Sequence, residues 1–397
     1  MNESKIVTAI DIANSKVQVF VGEIVDRREL RIISAGNTHS FGIKKSNILD
    51  IQALSKSVEE AILKAEKRIK IDNSKVYISM SGSHLEGMKS LGSANIRSAD
   101  NVVSQEDIKR ANADAMSKTL PEDRTFINMI NCGYYLDGEF CQEPLGKIAN
   151  RIDAEYWLVH GDCDEIAKIV SVLKNLDIEA DELVLSSIAS ALAVSTKNDR
   201  NEGVLVIDIG AGTTDYVIYK NSKVSITGSI SVGGEHITND LAHGIRLCQK
   251  NAEKLKKVSK ATMQEDERKG TTWALGDKQI GDRKVPLKAI NTIIKARLEE
   301  TFLLVRDELA NNLNADIQCV ILTGGTANML GITEVAQGVF NKKCIADKFN
   351  SNVHETFRRN EHATCIGLLN YAFESEIHEA QSIDGDNLFS KIFKVFK

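Results

Sequence analysis

Val204-Leu205-Val206-Ile207-Asp208-Ile209-Gly210-Ala211-Gly212-Thr213-Thr214-Asp215 reads as a strand that ends on an aspartate, turns through small and hydroxyl residues, and returns as a second strand. Gly210 and Gly212 permit positive φ and let backbone N–H groups approach an anion with no Cβ in the way, and Thr213 and Thr214 add hydroxyl donors. The same device occurs about 200 residues earlier, as Ile6-Val7-Thr8-Ala9-Ile10-Asp11-Ile12-Ala13-Asn14-Ser15-Lys16-Val17. There Asn14 and Ser15 supply the polar turn, and Lys16 is a point charge suited to phosphate. Asp11 and Asp208, each at a strand end, can face each other across a hydrated Mg²⁺, which prefers carboxylates plus retained waters to a full protein cage. Either stretch alone also reads as an ordinary β-hairpin with a polar turn. The pair reads as a phosphate clamp.

A third element strengthens the pair. Val320-Ile321-Leu322-Thr323-Gly324-Gly325-Thr326-Ala327-Asn328 brings a buried strand to two glycines, where a flat ring or a ribose can lie against bare backbone. In this order the three resemble the phosphate-1, phosphate-2 and adenosine motifs of the actin, Hsp70 and sugar-kinase superfamily, and no P-loop or GxGxxG fingerprint competes with them. The resemblance narrows to the bacterial cell-division FtsA family at Ser231-Val232-Gly233-Gly234-Glu235-His236-Ile237-Thr238-Asn239-Asp240-Leu241-Ala242. Ala252-Glu253-Lys254-Leu255-Lys256, Leu136-Asp137-Gly138, Glu143-Pro144-Leu145-Gly146 and Ala363-Thr364-Cys365-Ile366-Gly367-Leu368-Leu369 are similar too, so that the match covers almost all of residues 4–397. It implies an α/β chain with the actin-like ATPase fold, two halves around a nucleotide cleft, and ATP and Mg²⁺ as cofactors. It also implies that Gly233 and Gly234 lie at the nucleotide and that Glu253 and Lys256, three apart and so on one helix face, reach the nucleoside. A solvated ion pair is the alternative for those two side chains.

With 397 residues there is room for two or three domains. A net charge of −5 without strong blocks argues against a nucleic-acid partner, and 42% hydrophobic content with three prolines argues against disorder. Seven scattered cysteines without a CxxC pair read as reduced, mostly buried thiols, and the eight histidines have no ligand spacing, so no zinc is expected. Asp11 breaks the N-terminal apolar run, which is therefore not a signal peptide, and no apolar stretch is long enough to span a bilayer.

Strand and helix alternation predicts an α/β core with helices on the sheet faces. The expected divisions are 1–83 with 164–203 and 350–373 as subdomain 1A, 204–245 with 315–349 as 2A, and 246–314 as 2B. Residues 84–163 interrupt the alternation and resemble the FtsA-type 1C insertion, with a helix starting at Ser104, where Asp107 makes a capping-box variant, and a hairpin turning at Asp137-Gly138. The basic run Lys250, Lys254, Lys256, Lys257 and Lys260 reads equally as a solvated helix or as a receptor for an acidic peptide.

Residues 374–387 read as a flexible polar linker, followed by an amphipathic helix over 388–397. Leu388, Phe389, Ile392, Phe393 and Phe396 share one helical face, while Lys391 and Lys394 lie away from it, a pattern suited to a headgroup boundary. A helix docked on the protein's own body is the alternative. The family resemblance implies a filament of this chain on anionic lipid at the cytoplasmic face of the cell membrane, at the division site, recruiting the tubulin-like FtsZ. A PilM-like scaffold or a metabolic phosphotransferase of the same superfamily are the alternative functions. Departures from the family pattern bear on hydrolysis: Ala13 stands where a glycine is usual, and Ser186-Ser187 where relatives commonly carry Glu-Pro. Serine cannot replace a carboxylate that orients water, so nucleotide binding with slow hydrolysis is expected and the catalytic residues stay unassigned.

Overall fold

In the computed structural model, residues 4–67, 69–71, 74–264, 269–274, 282–309, 317–350 and 353–381 are described. The chain opens with a meander of three long strands, β1 (Ser4–Ile12), β2 (Lys16–Val25) and β3 (Glu29–His39). A short hairpin, β4 (Ile43–Lys44) and β5 (Asn47–Ile48), leads into α1 (Ile51–Ala65), which crosses to β6 (Lys75–Met80). The insertion follows as β7 (Glu86–Asn95), α2 (Gln105–Met116), β8 (Arg124–Leu136), β9 (Glu139–Cys141) and β10 (Arg151–Asp162). Next, α3 (Cys163–Lys174), β11 (Glu182–Leu185), α4 (Ser186–Val194) and α5 (Lys197–Glu202) return the chain to the first core. A second meander, β12 (Val204–Ile209), β13 (Thr214–Lys220) and β14 (Lys223–Ile230), precedes α6 (Gly234–Gly244) and α7 (Gln249–Val258). After β15 (Thr271–Ala274), β16 (Arg283–Pro286) and α8 (Leu287–Leu309) come β17 (Cys319–Thr323), a 3-10 turn, α9 (Ile332–Phe340), β18 (Lys343–Ile345) and α10 (Ala363–Gln381).

Two sheets repeat one plan. The first runs β11-β6-β1-β2-β3 and the second β18-β17-β12-β13-β14, each an antiparallel meander extended by two parallel strands. The parallel strands need crossovers, which the helices supply. The two central strands, β1 and β12, carry almost continuous buried apolar residues and end close to Asp11 and Asp208. Every residue of α4 is buried, as a helix apolar nearly all round must be. Gly367 lets α10 approach it until the helices touch backbone to backbone at Ala189.

The insertion has its own core of Ala94, Ile108, Ala111, Ala115, Ile152 and Leu158. The helix α2 starts at Ser104 with the capping box to Asp107, and Asp137 and Gly138 turn at φ of 49° and 94° between β8 and β9. The insertion also touches the second half. Trp157 Nε1 donates to Thr227 Oγ1 at 3.1 Å, and Lys223 lies over the rings of Tyr135 and Phe140 while donating to Glu155 at 2.8 Å.

One boundary differs from the sequence expectation. Residues 374–381, assigned there to the linker, continue α10. Glu376 explains the difference: its side chain is 1% exposed and pairs with Lys5 at 2.6 Å and Lys75 at 2.7 Å, charges brought by the starts of β1 and β6. Burial pushes this carboxyl up, but the two lysines outweigh it and hold it below its ordinary value. Glu376→Ala is expected to cost about 1–3 kcal/mol, read from the urea midpoint; an unchanged midpoint would assign the end of α10 no structural role. The amphipathic stretch 388–397 lies outside the described residues, among which no helix is long and apolar enough to cross a membrane.

Candidate functional site

Both central strands deliver a carboxylate to the junction of the two sheets. On β1, Asp11 accepts from Ser79 Oγ of β6 at 2.6 Å. On β12, Asp208 accepts from Ser190 Oγ of α4 and from Thr364 Oγ1 of α10 at 3.2 Å, and directly opposite it on β13 stands Asp215, which accepts from Ser81 Oγ at 2.7 and 2.9 Å. All three carboxylates are buried. Burial drives Asp208 up to about 7, the Ser190 hydrogen bond opposes this, and the charges of Asp215 and Asp11 add to it. Asp215 is pushed up to about 6 by burial, against its hydroxyl partners, and Asp11 is raised by burial against Ser79 and Lys16. Burial lowers the Lys16 ammonium, while Glu361, Asp11 and Asp208 pull it back. Three mutually repelling carboxylates out of water call for protons or a cation.

Gln18 sits directly across the β1–β2 ladder from Asp11, on the same face of the sheet. It is fully buried, and among the described residues neither its Nε2 nor its Oε1 has a hydrogen-bond partner. Such an amide costs about 1–3 kcal/mol unless something polar meets it. A hydrated cation or an ordered water beside Asp11 satisfies it, so the donor set fits a metal held through water better than one caged by protein. Among the described residues no group of three or more His, Cys, Asp or Glu side chains is arranged to hold a metal ion.

The glycine turns converge on the same place. Gly210 N–H donates to Thr213 O at 2.9 Å and closes the second turn, while Gly210 O accepts from Gly234 N at 2.9 Å and from Thr326 Oγ1 at 3.1 Å. Gly233 packs on the carbonyls of Gly210 and Ala211, and Gly212 on the side chain of Asn14, so the two hairpins meet. Gly324 has φ +85°, and a Cβ there would overlap the Asp208 carboxylate, which only glycine avoids. Lys256 Nζ reaches Gly234 O at 3.0 Å, Thr238 Oγ1 at 2.9 Å and Glu253 at 2.6 Å. Burial pushes Glu253 up, but hydrogen bonds from Lys256 and Thr238 outweigh it. This pair therefore ties α7 to the start of α6 at the glycine turn, and is not a free solvated pair.

Other expected site residues have different surroundings. Ser15 is exposed at the first turn. Thr214 is buried in β13 with its hydroxyl donating to Val232 O at 2.8 Å, a bond that anchors the strand. Gly325 opens the 3-10 turn Gly325–Asn328, where Asn328 donates to Glu361 at 2.7 Å and accepts from Asn360 at 3.1 Å. Leu388, Phe389, Lys391, Ile392, Phe393, Lys394 and Phe396 lie outside the described residues. Sequence reasoning missed Asp215, Ser79, Ser81, Ser190, Thr364 and Glu361. Asp215 had a signal, since counting outward from the turn places it opposite Asp208. The others are brought in by distant elements. A groove of about 1080 Å³ along edge strand β3, lined by Leu30, Ile32, Phe357, Ile366 and Leu369, shares no residue with this site.

Two halves of one strand order, each presenting an aspartate beside a tight turn at their junction, define an actin-like ATPase fold. The chain is similar in structure to a PilM–PilN type IV pilus biogenesis complex, with TM-score 0.63 and 14% identity over 92% of this chain and 98% of that one. It is also similar to MreB 5 of Spiroplasma citri bound to AMPPNP, with TM-score 0.57 and 15% identity over 96% and 98%. At these identities the likeness concerns the fold. The family model for cell division protein FtsA matches residues 205–367, and that for the SHS2 domain inserted in FtsA matches residues 82–160. Cell division protein FtsA of Neisseria meningitidis is 29% identical, over 96% of this chain and 94% of its own. That of Pseudomonas aeruginosa is 27% identical, over 95% and 91%. The chain belongs to the FtsA family of cell-division proteins.

Proposed function

We propose that this chain binds ATP with Mg²⁺ between its two halves, assembles head to tail on the cytoplasmic face of the cell membrane at the division site, and tethers FtsZ filaments there through residues 388–397. The observation that carries the nucleotide part is the convergence of three buried carboxylates with the Asn14 turn of the first half and the glycine turns of the second. Asp11 and Asp208 hold the metal's water ligands, with Gln18 beside them. Lys16, Asn14, Ser15 and the backbone of 210–213 receive the phosphates, and Gly233, Gly234, Gly324, Gly325, Thr326, Glu253 and Lys256 flank the nucleoside. Bound Mg²⁺ supplies the charge that offsets both the carboxylates and the phosphates. A head-to-tail contact is heterologous and gives open filaments. FtsA family membership favours this reading over a PilM-like scaffold. A sugar-kinase-like phosphotransferase would need a base facing a substrate hydroxyl.

Hydrolysis is slow in this reading because no carboxylate opens α4. Ser186 Oγ donates to Met80 O at 2.9 Å, and the buried Ser187 hydroxyl has no partner among the described residues. Titration of labelled ATP with product analysis tests both parts. Mg²⁺-dependent binding with turnover below about 1 s⁻¹ is expected, and Ser186→Glu is expected to raise the rate. Absence of binding sinks the nucleotide reading, and turnover well above that limit sinks the account of α4.

A further inference from the structure

We propose that the turn Lys45-Ser46, between β4 and β5, is a specificity element of this site: it meets the terminal phosphate of a nucleoside triphosphate and so separates triphosphate from diphosphate. The inference rests on the nucleotide reading above and adds residues to it. Lys45 and Ser46 have φ of +50° and +62°. Two-residue hairpin turns of this kind favour Asn-Gly, and other residues adopt the left-handed backbone at a cost. The same left-handed pair closes the hairpins at Asp26-Arg27 and Asn221-Ser222, so what sets this turn apart is what it touches.

The surroundings here are both phosphate hairpins. Ser46 N–H donates to Asn14 Oδ1 at 3.0 Å, and Ser46 Oγ lies 3.3 Å from Ser81 Oγ and 3.5 Å from both Thr213 Oγ1 and Asn14 Nδ2. Ser81 and Thr213 are 3.1 Å apart. One short hairpin thus joins the first turn, the end of β6 and the second turn. Hydroxyl pairs bond best near ~2.7–2.8 Å, so the longer contacts at Ser46 leave its hydroxyl weakly committed and free to rotate toward an anion. The base of the hairpin is pinned, because Gly42 O accepts from Leu49 N at 2.7 Å and Asp50 N at 3.0 Å.

Charge agrees with geometry. Lys45 is exposed and close enough to His236, on α6 of the other half, that burial and the Lys45 charge together hold that imidazole below its ordinary value. The contact order gives the subsite. Gly324 packs on Asp208, Asp208 faces Asp215, Asp215 accepts from Ser81, and Ser81 meets Ser46. Ser46 thus ends this row away from Gly324 and stands beside Thr213, in the turn that receives the phosphates.

The test compares ATP and ADP affinities, with Mg²⁺, for the full chain and for Lys45→Ala, an exposed position whose loss leaves the fold intact. The expected result is about tenfold weaker ATP binding with ADP changed less than about twofold. Lys45→Arg is expected to restore most of the difference, and Ser46→Gly to reduce discrimination while relieving the turn. Equal loss for both nucleotides, or no loss for either, overturns the inference and leaves the nucleotide reading standing. Failure of the unaltered chain to bind ATP and ADP overturns both.

Discussion

A chain ending at Asn387 is expected to remain in the supernatant with anionic vesicles, while the full chain pellets with them, and more completely with ATP and Mg²⁺. The removed residues are Leu388 to Lys397. As a helix they span about 15 Å, too short to be stable alone in water. In the proposed function an interface would supply what is missing, through three phenylalanines and two aliphatics at the headgroup boundary and roughly 1 kcal/mol from each lysine near anionic lipid. One such anchor binds weakly, and a filament multiplies it, hence the nucleotide dependence. Because α10 runs to Gln381, only residues 382–387 separate it from Leu388, a reach of about 20 Å when extended. If residues 388–397 bind the bilayer, the end of the body that carries Glu376, Lys5 and Lys75 is the one that would face it. Equal sedimentation of both chains, or of neither, would remove the membrane anchor from the proposed function.

Asp208→Asn is expected to make the nucleotide-free protein more stable than the unaltered one at pH 8, and no more stable at pH 4. Asp208 has its folded pKa raised to about 7. A carboxyl raised in this way leaves stability intact below its unfolded value and removes it as pH climbs toward the folded one. The nucleotide-free chain should therefore weaken from about pH 4 to about 7, with Asp215 contributing up to about 6. An amide at 208 still accepts from Ser190 and Thr364 but cannot ionise. The gain at pH 8 is on the order of 2–4 kcal/mol, read as the difference in urea midpoints between variant and unaltered chain. ATP with Mg²⁺ should stabilise the unaltered chain at pH 8 and leave the variant almost unmoved. Identical pH profiles for the two chains would mean that Asp208 titrates normally and that the buried carboxylates are not the site's driving feature.

The parts of this molecule that sequence reasoning reached are those written in local chemistry. Glycines beside an aspartate at a strand end, Ser104 and Asp107 three apart, and Asp137-Gly138 between strands each specify their own backbone. What sequence reasoning missed depends on partners far along the chain. Ser79, Ser190 and Thr364 are unremarkable hydroxyls until β6, α4 and α10 bring them to the two carboxylates. Glu376 sits in a run of polar residues, and only the lysines of β1 and β6 turn that run into the end of a helix. The Lys45-Ser46 turn lacks the glycine that would have marked it, and its contacts with both hairpins come from residues far along the chain.

The insertion is joined by covalent chain to the first half alone, yet Lys223 between Tyr135 and Phe140, and Trp157 against Thr227, fasten it to the second. It thus bridges the two halves. Any relative rotation of the two halves would therefore have to break these contacts or carry the insertion with it.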